Sequence, residues 1–153
     1  MEKLKSYLEA HKLITDGAFG TYYSRVYDTN ELPESVNITM GRRVTDIHKE
    51  YINAGAKLIR TNTFAANTVN LECNFDEVKA NIKAAVANAR QAVKECGREV
   101  YIAADIGLRS GSARTDYENG YGMVGIEQVS VCIMNLFHIN KSLSCLSIGF
   151  NSL

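Results

Sequence analysis

Residues 44–64 read VTDIHKEYINAGAKLIRTNTF, and this stretch decides the fold class. Apolar side chains recur at spacings of three and four in its first half, which predicts a helix over residues 44–54 with one buried face. Gly55 stands where a glycine usually ends a helix. Residues 57–64, KLIRTNTF, then predict a buried strand with a polar carboxyl end. The residues expected on the buried face of the helix are Val44, Ile47, His48, Tyr51 and Ile52.

The segments on both sides continue this alternation of strands and helices. Residues 13–17, LITDG, predict a first strand, and residues 99–107, EVYIAADIG, predict a third. Asn74 and Glu77 have the spacing of a capping box, and Gly97 marks the end of the helix that they begin. Strands that are apolar along their length and alternate with helices are typical of parallel sheets, so the predicted class is α/β. The expected buried face of this second helix is Phe75, Val78, Ile82, Ala85, Val86, Ala89 and Val93.

Two parts of the chain depart from the alternation. Residues 21–43 are polar around the only proline, and we expect a long connection whose tyrosines either form a lid or cover the core. Residues 117–153 contain three charged side chains, whereas residues 1–116 contain 31. We therefore divide the chain into residues 1–116 and a divergent, charge-poor tail at 117–153, which has room for a fourth βα unit.

Composition excludes several classes of function. The chain has 17 basic and 17 acidic side chains, so it lacks the basic surface typical of nucleic-acid binding or of membrane attachment. No apolar run approaches the ~20 residues that span a bilayer, and the first residues lack the apolar core of a signal peptide. We expect a cytoplasmic protein with free thiols and with no nucleic-acid or membrane partner. The four cysteines form no CxxC pair and no compact zinc spacing; they are Cys73, Cys96, Cys132 and Cys145.

All three predicted strands end in polar or glycine residues. Ligands bind at the carboxyl ends of strands in parallel α/β folds, which makes these ends the candidate site. The glycines of DGAFGT at 16–21 let a ligand approach the backbone, whose N–H groups suit a carboxylate, while Asp16 suits an ammonium. The alternative is that strand ends are polar because they reach solvent, and that DGAFGT is a tight turn. The candidate residues are Asp16 and Gly17, then Asn62 and Thr63, and with weaker grounds Asp105 and Gly107.

Four elements closely resemble the homocysteine S-methyltransferase family. They are DGAFGT at 16–21, NIT at 37–39, IHKEYINAGAKLIRTNTFAAN at 47–67 and YIAADIG at 101–107. The family includes the N-terminal domains of cobalamin-dependent methionine synthases, betaine–homocysteine methyltransferases and bacterial fusions with methylenetetrahydrofolate reductase; the last are the most similar.

The resemblance implies a (β/α)8 barrel that binds homocysteine. A zinc ion would hold the substrate sulfur as a thiolate, which attacks the methyl group of a donor and gives methionine. Asp16 and Gly17 would contact the amino acid end of homocysteine, and Asn62 and Thr63 would line the same pocket. His48 is expected in the core, because it lies on an apolar helix face.

The sequence also departs from the family. The three cysteines that hold zinc in the family have no counterpart among the four here, so the resemblance implies Zn²⁺ for the full-length family but no metal ligands in this chain. Eight βα units need about 250 residues, whereas we count three units and at most a fourth. We therefore expect an incomplete (β/α)8 TIM barrel. Residues 1–116 would be the N-terminal portion of the homocysteine-binding barrel, inactive alone and able to self-associate through exposed sheet edges.

Three functional hypotheses follow. The first is an N-terminal fragment of a homocysteine S-methyltransferase, with homocysteine and a methyl donor as its partners. The second is a non-catalytic ligand-binding or assembly module built on a half barrel. The third is a small α/β enzyme that uses Asp16 or Asp105 as a general base, although no histidine or lysine is placed beside either acid. The sequence does not identify the methyl donor.

Overall fold

A computed structural model of the chain describes residues 4–107. The predicted tail at 117–153 therefore lies outside the described residues, as do Cys132 and Cys145. The elements in chain order are α1 (Leu4–Ala10), α2 (Phe19–Tyr27), a 3-10 turn (Pro33–Val36), α3 (Gly41–Asn53), β1 (Leu58–Arg60), α4 (Phe75–Cys96) and β2 (Tyr101–Ala103). No helix in this part of the chain combines the length and apolarity needed to cross a membrane.

The sheet is small and parallel. β1 pairs with β2, with Ile59 opposite Ile102. The strand predicted at 13–17 is reduced to a single parallel bridge between Thr15 and Leu58 on the other side of β1. The strands predicted at 57–64 and 99–107 are likewise shorter than expected, since their polar carboxyl ends turn into loops. The predicted α/β class with parallel strands is confirmed, and three chain segments end at one edge.

Helices α3 and α4 cover one face of the sheet. α3 begins three residues earlier than predicted, and its expected face is buried except for the half-buried Tyr51. The N-terminus of α4 has the predicted capping box, in which Asn74 and Glu77 each bond the other's backbone N–H. Gly97 ends the helix at φ 62°, a left-handed conformation that suits glycine. The core formed with the sheet comprises Ile52, Ala56, Ile59, Ala89, Ala92 and Val100.

One expected core position of α4 is wrong, and another is confirmed only in part. Phe75, the first residue of the helix, is 39% exposed. Val93 is only partly buried, at the edge of the core. The rest of the predicted face is buried as expected.

The prediction of a long connection at residues 21–43 is also wrong. α2 and the 3-10 turn occupy much of it. Tyr23 is completely buried, packs beside Val36, Val44 and Ile47, and its hydroxyl donates to Glu31 Oε1 at 3.0 Å. Phe19 and Tyr27, each four residues from Tyr23 on α2, are partly buried and pack against the same cluster, so these tyrosines cover the core.

Candidate substrate-binding site

Asp16 and Arg60 form the centre of the site. Asp16 directly follows the Thr15 bridge, and its side chain is completely buried. Its Oδ2 accepts the backbone N–H of Arg60 at 2.8 Å, and its Oδ1 accepts Nε of Arg60 at 2.9 Å. Nη2 of Arg60 donates to the carbonyl of Gly17 at 2.7 Å. The two candidate residues at the end of the predicted first strand, Asp16 and Gly17, are therefore bound to Arg60, the last residue of β1.

Asp105 brings a second carboxylate to the same guanidinium. Nη1 of Arg60 lies 3.5 Å from Asp105 Oδ2, just beyond the end of β2. Burial raises the pKa of Asp105, the positive charge of Arg60 lowers it, and the negative charge of Asp16 raises it again. One guanidinium thus lies between two carboxylates at the carboxyl ends of three parallel segments. Parallel strands end at one edge, so the fold itself assembles this cluster.

Asn62 and Thr63 lie at the same edge, but their side chains bond within the protein. Asn62 Nδ2 donates to the Pro33 carbonyl at 2.8 Å and to Asn37 Oδ1 at 2.9 Å. Thr63 Oγ1 donates to the Asp105 carbonyl at 2.6 Å and lies 2.8 Å from Thr61 Oγ1. Both are almost completely buried. They form the frame around the strand ends.

Gly107 links the two chain segments that follow β1 and β2 at this edge. Its N–H donates to the Phe64 carbonyl at 3.0 Å, which ties the segment after β2 to the segment after β1. A Cβ at this position would lie 2.5 Å from the same carbonyl oxygen, so only glycine fits without a shift.

Sequence reasoning missed Arg60 and Glu34. Arg60 is a charged residue in the otherwise apolar β1, immediately before the polar end of the strand. A charge at such a position needs a partner, so the sequence could have indicated Arg60 as a site residue. Glu34 lies in the 3-10 turn, is buried, and accepts the N–H of Ala65 at 3.0 Å. Burial raises the pKa of Glu34. The hydrogen bond from the Ala65 N–H lowers this pKa, and the negative charge of Asp105 raises it further. No sequence pattern singled out Glu34.

The described residues do not fit a zinc site. Within residues 4–107 no three histidine, cysteine or acidic side chains are grouped to hold a metal ion. Cys73 precedes α4 and Cys96 is its last residue, so the 22-residue helix, about 30 Å long, keeps them apart. They cannot share one ion, whose bonds to sulfur are about 2.3 Å long.

His48 lies in the core, as its position on the apolar face of α3 predicts. It is completely buried, and its ring lies 4.9 Å from the Phe19 ring. Neither ring nitrogen has a hydrogen-bond partner among the described residues. Burial lowers its pKa to about 4, so the ring is neutral at pH 7.

The comparison with protein families decides the identity. The family model described as homocysteine S-methyltransferase matches residues 13–138, most of the chain. The chain belongs to this family. The matched range includes every residue of the cluster around Arg60. It confirms the resemblance to this family that DGAFGT and the later segments indicated. A search of curated proteins finds no match.

Solved structures of homocysteine methyltransferases share the fold. The metallated form of the homocysteine methyltransferase MmuM from Escherichia coli matches with a TM-score of 0.63 and 18% identity, over 84% of this chain and 54% of that one. Its oxidized form matches with a TM-score of 0.62 and 18% identity, over 84% of this chain and 53% of that one. The chain therefore spans about half the length of those proteins, and its small parallel sheet and helices follow their fold.

Proposed function

We propose that this chain provides one wall of the homocysteine site of a homocysteine S-methyltransferase, which transfers a methyl group to the homocysteine thiol and forms methionine. Family membership supports the reaction. The proposed location of the site rests on one observation: Arg60 lies between the carboxylates of Asp16 and Asp105 at the strand ends. Homocysteine is zwitterionic at its amino acid end, and adjacent guanidinium and carboxylate groups match that charge pattern.

The proposed architecture is the N-terminal part of a (β/α)8 TIM barrel. The parallel order of the Thr15 segment, β1 and β2 supports it, as does the likeness to MmuM. The four predicted substrate-binding residues, Asp16, Gly17, Asn62 and Thr63, form the frame of the site. Residues 1–116 would belong to the barrel, with the tail at 117–153 beyond them, in a cytoplasmic protein. Remaining units of the family barrel would supply the opposite wall and the zinc ligands.

We further propose that the isolated chain binds homocysteine but does not methylate it. A thiol has a pKa near 8.5 and must lose its proton to attack a methyl group. Within the described residues no set of side chains fits a metal that would remove it. Binding through the amino acid end needs only the charged cluster, whereas turnover needs an activated sulfur.

Calorimetric titration of the 153-residue chain with L-homocysteine tests this proposal. We expect saturable binding, no heat of binding with propanethiol, which keeps the thiol but lacks the charged amino acid end, and no methionine when zinc and either betaine or methylcobalamin are added. Methionine formation above a no-enzyme control would overturn the claim of inactivity. A cooperatively folded chain that fails to bind homocysteine would overturn the proposed site.

A second candidate, an assembly module, is favoured by exposed apolar side chains at the strand ends. Ile14, Phe64 and Ile106 are 62%, 56% and 41% exposed. In the described part of the chain β2 pairs on one side only, with β1. Open strand edges and exposed apolar groups favour self-association. Sedimentation velocity over a hundredfold concentration range tests it, and a monomer throughout would reject it.

A further inference from the structure

The turn at residues 16–21 has two supports from other parts of the chain. Nη2 of Arg60 donates to the carbonyl of Gly17 at 2.7 Å. The hydroxyl of Tyr51, on α3, donates to the carbonyl of Ala18 at 3.3 Å. Gly17 and Ala18 are themselves exposed to solvent. The turn is therefore held at its carbonyls while its backbone remains accessible to a ligand.

The ring of Tyr51 fills the space beside Gly17. A Cβ at position 17 would lie 3.2 Å from Cε1 of Tyr51 and 3.2 Å from its hydroxyl oxygen, closer than an ordinary van der Waals contact. The backbone of Gly17 lies outside the left-handed region, so its conformation alone does not require glycine. The requirement for glycine at this position therefore comes from the Tyr51 ring.

Neighbours on α2 and α3 hold Tyr51 in place. Its ring packs against the ring of Tyr22, with the centroids 5.5 Å apart, and the Tyr22 hydroxyl donates to Glu50. Ile52, the next residue of α3, is completely buried in the core. Burial raises the pKa of Tyr51, and the negative charge of Asp16 raises it further, so the hydroxyl remains a donor at neutral pH.

The geometry of the peptide bond indicates what these contacts do for the turn. All peptides of the described residues are trans, and in a trans peptide the carbonyl and the following N–H point in opposite directions. Because the carbonyls of Gly17 and Ala18 face protein donors, the N–H groups of Ala18 and Phe19 are directed to the opposite side. They belong to the turn whose N–H groups the sequence predicts for the substrate carboxylate.

We propose that Tyr51 is a positioning residue of the homocysteine site, and that its ring, packed beside Gly17, determines where the N–H groups of the turn lie. Tyr51 does not contact the substrate and acts only through the turn. This inference rests on the proposed function, because it names the side chain that supports part of the proposed wall. It also explains Gly17, since a larger residue there would displace either the ring or the turn.

The variant Tyr51→Leu removes the support, and Tyr27→Leu is its matched control. Tyr27 is also half-buried, packs against the same core cluster and donates its hydroxyl to a backbone carbonyl, that of Arg43, at 3.3 Å. Calorimetric titration of the 153-residue chain should show L-homocysteine weakened about tenfold by Tyr51→Leu, the value of one misaligned charge-assisted hydrogen bond, and within about twofold in Tyr27→Leu.

The conservative variant Tyr51→Phe separates the ring from the hydroxyl. Because it keeps the ring beside Gly17, we expect its affinity for homocysteine to stay within about threefold of wild type. Thermal unfolding confirms that each variant is folded at the temperature of the titration. If Tyr51→Leu binds homocysteine as tightly as Tyr27→Leu does, the inference is wrong.

Gly17→Ala approaches the same contact from the turn. Its Cβ should press against the Tyr51 ring, so we expect about a tenfold loss of affinity. Leucine at position 51 is shorter than the phenol ring and leaves room, so the double variant Gly17→Ala/Tyr51→Leu should lose about tenfold and not about a hundredfold. An additive loss would show that the two residues act separately and would overturn the inference.

Backbone order parameters of residues 17–19 test the support without any ligand. In Tyr51→Leu we expect them to fall from about 0.85, typical of a rigid backbone, to below about 0.6, whereas Tyr51→Phe and Tyr27→Leu should leave them unchanged. If the wild type binds homocysteine and Tyr51→Leu leaves the turn rigid, the role of Tyr51 is wrong while the homocysteine site stands. If the folded wild-type chain binds no homocysteine, the proposed function fails, and the role of Tyr51 in it fails too.

Discussion

Asn37 and Asn62 exchange two buried hydrogen bonds across 25 residues of sequence. Asn37 Nδ2 donates to the Asn62 carbonyl at 2.9 Å, and Asn62 Nδ2 donates to Asn37 Oδ1 at 2.9 Å. Asn81 and Asn88 of α4 extend the network, since Asn37 Nδ2 also donates to Asn81 Oδ1 and Asn88 Nδ2 donates to the Asn37 carbonyl. These side-chain amide hydrogen bonds connect the end of β1 to the segment after the 3-10 turn and to α4. The strand end that frames the site is therefore rigid.

The first prediction concerns Asn62→Ala. The substitution removes two buried hydrogen bonds and leaves Asn37 Oδ1 and the Pro33 carbonyl without that donor. Since each unsatisfied buried group costs about 1–3 kcal/mol, we expect the free energy of unfolding to fall by about 2–4 kcal/mol in urea denaturation.

The matched control is Asn53→Ala, at the exposed end of α3. Its free energy of unfolding should change by less than about 0.5 kcal/mol. If Asn62→Ala keeps full stability but loses homocysteine binding, Asn62 is a ligand contact and its role in the frame is wrong.

The sequence predicted those parts of the fold that local chemistry determines. The capping box of Asn74 and the left-handed Gly97 depend on neighbouring residues, and both are confirmed. The buried face of α3 followed from spacing alone. α2 was missed because Gly20 and its tyrosines have weak helix propensity, and the helix is stabilised by tertiary burial of Tyr23.

The meeting of the three strand ends was predictable, but the pairing of their side chains was not. Polar strand ends located Asp16, Asn62 and Thr63 at one edge, because parallel strands share an edge. Which donor meets which acceptor depends on the register of the strands, and the Thr15 bridge places Asp16 beside Arg60. That register is a tertiary property, and no spacing along the chain encodes it.

The second prediction concerns the pH dependence of stability through His48. Burial lowers its pKa to about 4 in the folded state, whereas the unfolded chain has the ordinary value of 6.5. The unfolded state therefore binds more protons between these values, and the free energy of unfolding falls as pH decreases from about 6.5 to about 4. The loss attributable to His48 approaches about 3 kcal/mol.

His48→Met should remove this contribution, and the difference between urea denaturation curves at several pH values isolates it. Because neither ring nitrogen has a partner within residues 4–107, the variant should also be as stable as the wild type or more stable at pH 7. His11→Met, on the exposed bend after α1, is the matched control, since it removes an imidazole from the surface. An unaltered slope in His48→Met would contradict the prediction.

The third prediction concerns Gly107→Ala. Its Cβ would lie 2.5 Å from the Phe64 carbonyl oxygen and 2.8 Å from the Phe64 ring, so the two segments beyond the strands must separate. Overpacking of this kind costs about 1–3 kcal/mol, which we expect in the free energy of unfolding measured by urea denaturation. Gly20→Ala is the control, because its nearest neighbour is Pro33 at 3.7 Å and it lies within α2. That change should be neutral or stabilising by up to about 1 kcal/mol.

The fourth prediction concerns the start of α4. Asn74 Oδ1 accepts the N–H of Glu77 at 3.0 Å, and Glu77 Oε2 accepts the N–H of Asn74 at 2.9 Å. Asn74→Ala removes the first of these bonds and should lower the free energy of unfolding by about 1 kcal/mol. Asn74→Ser keeps a capping oxygen and should lose less than half of that amount. Thermal denaturation of both variants tests this: if neither variant loses stability, the cap contributes nothing and the packing of α4 alone determines where the helix begins.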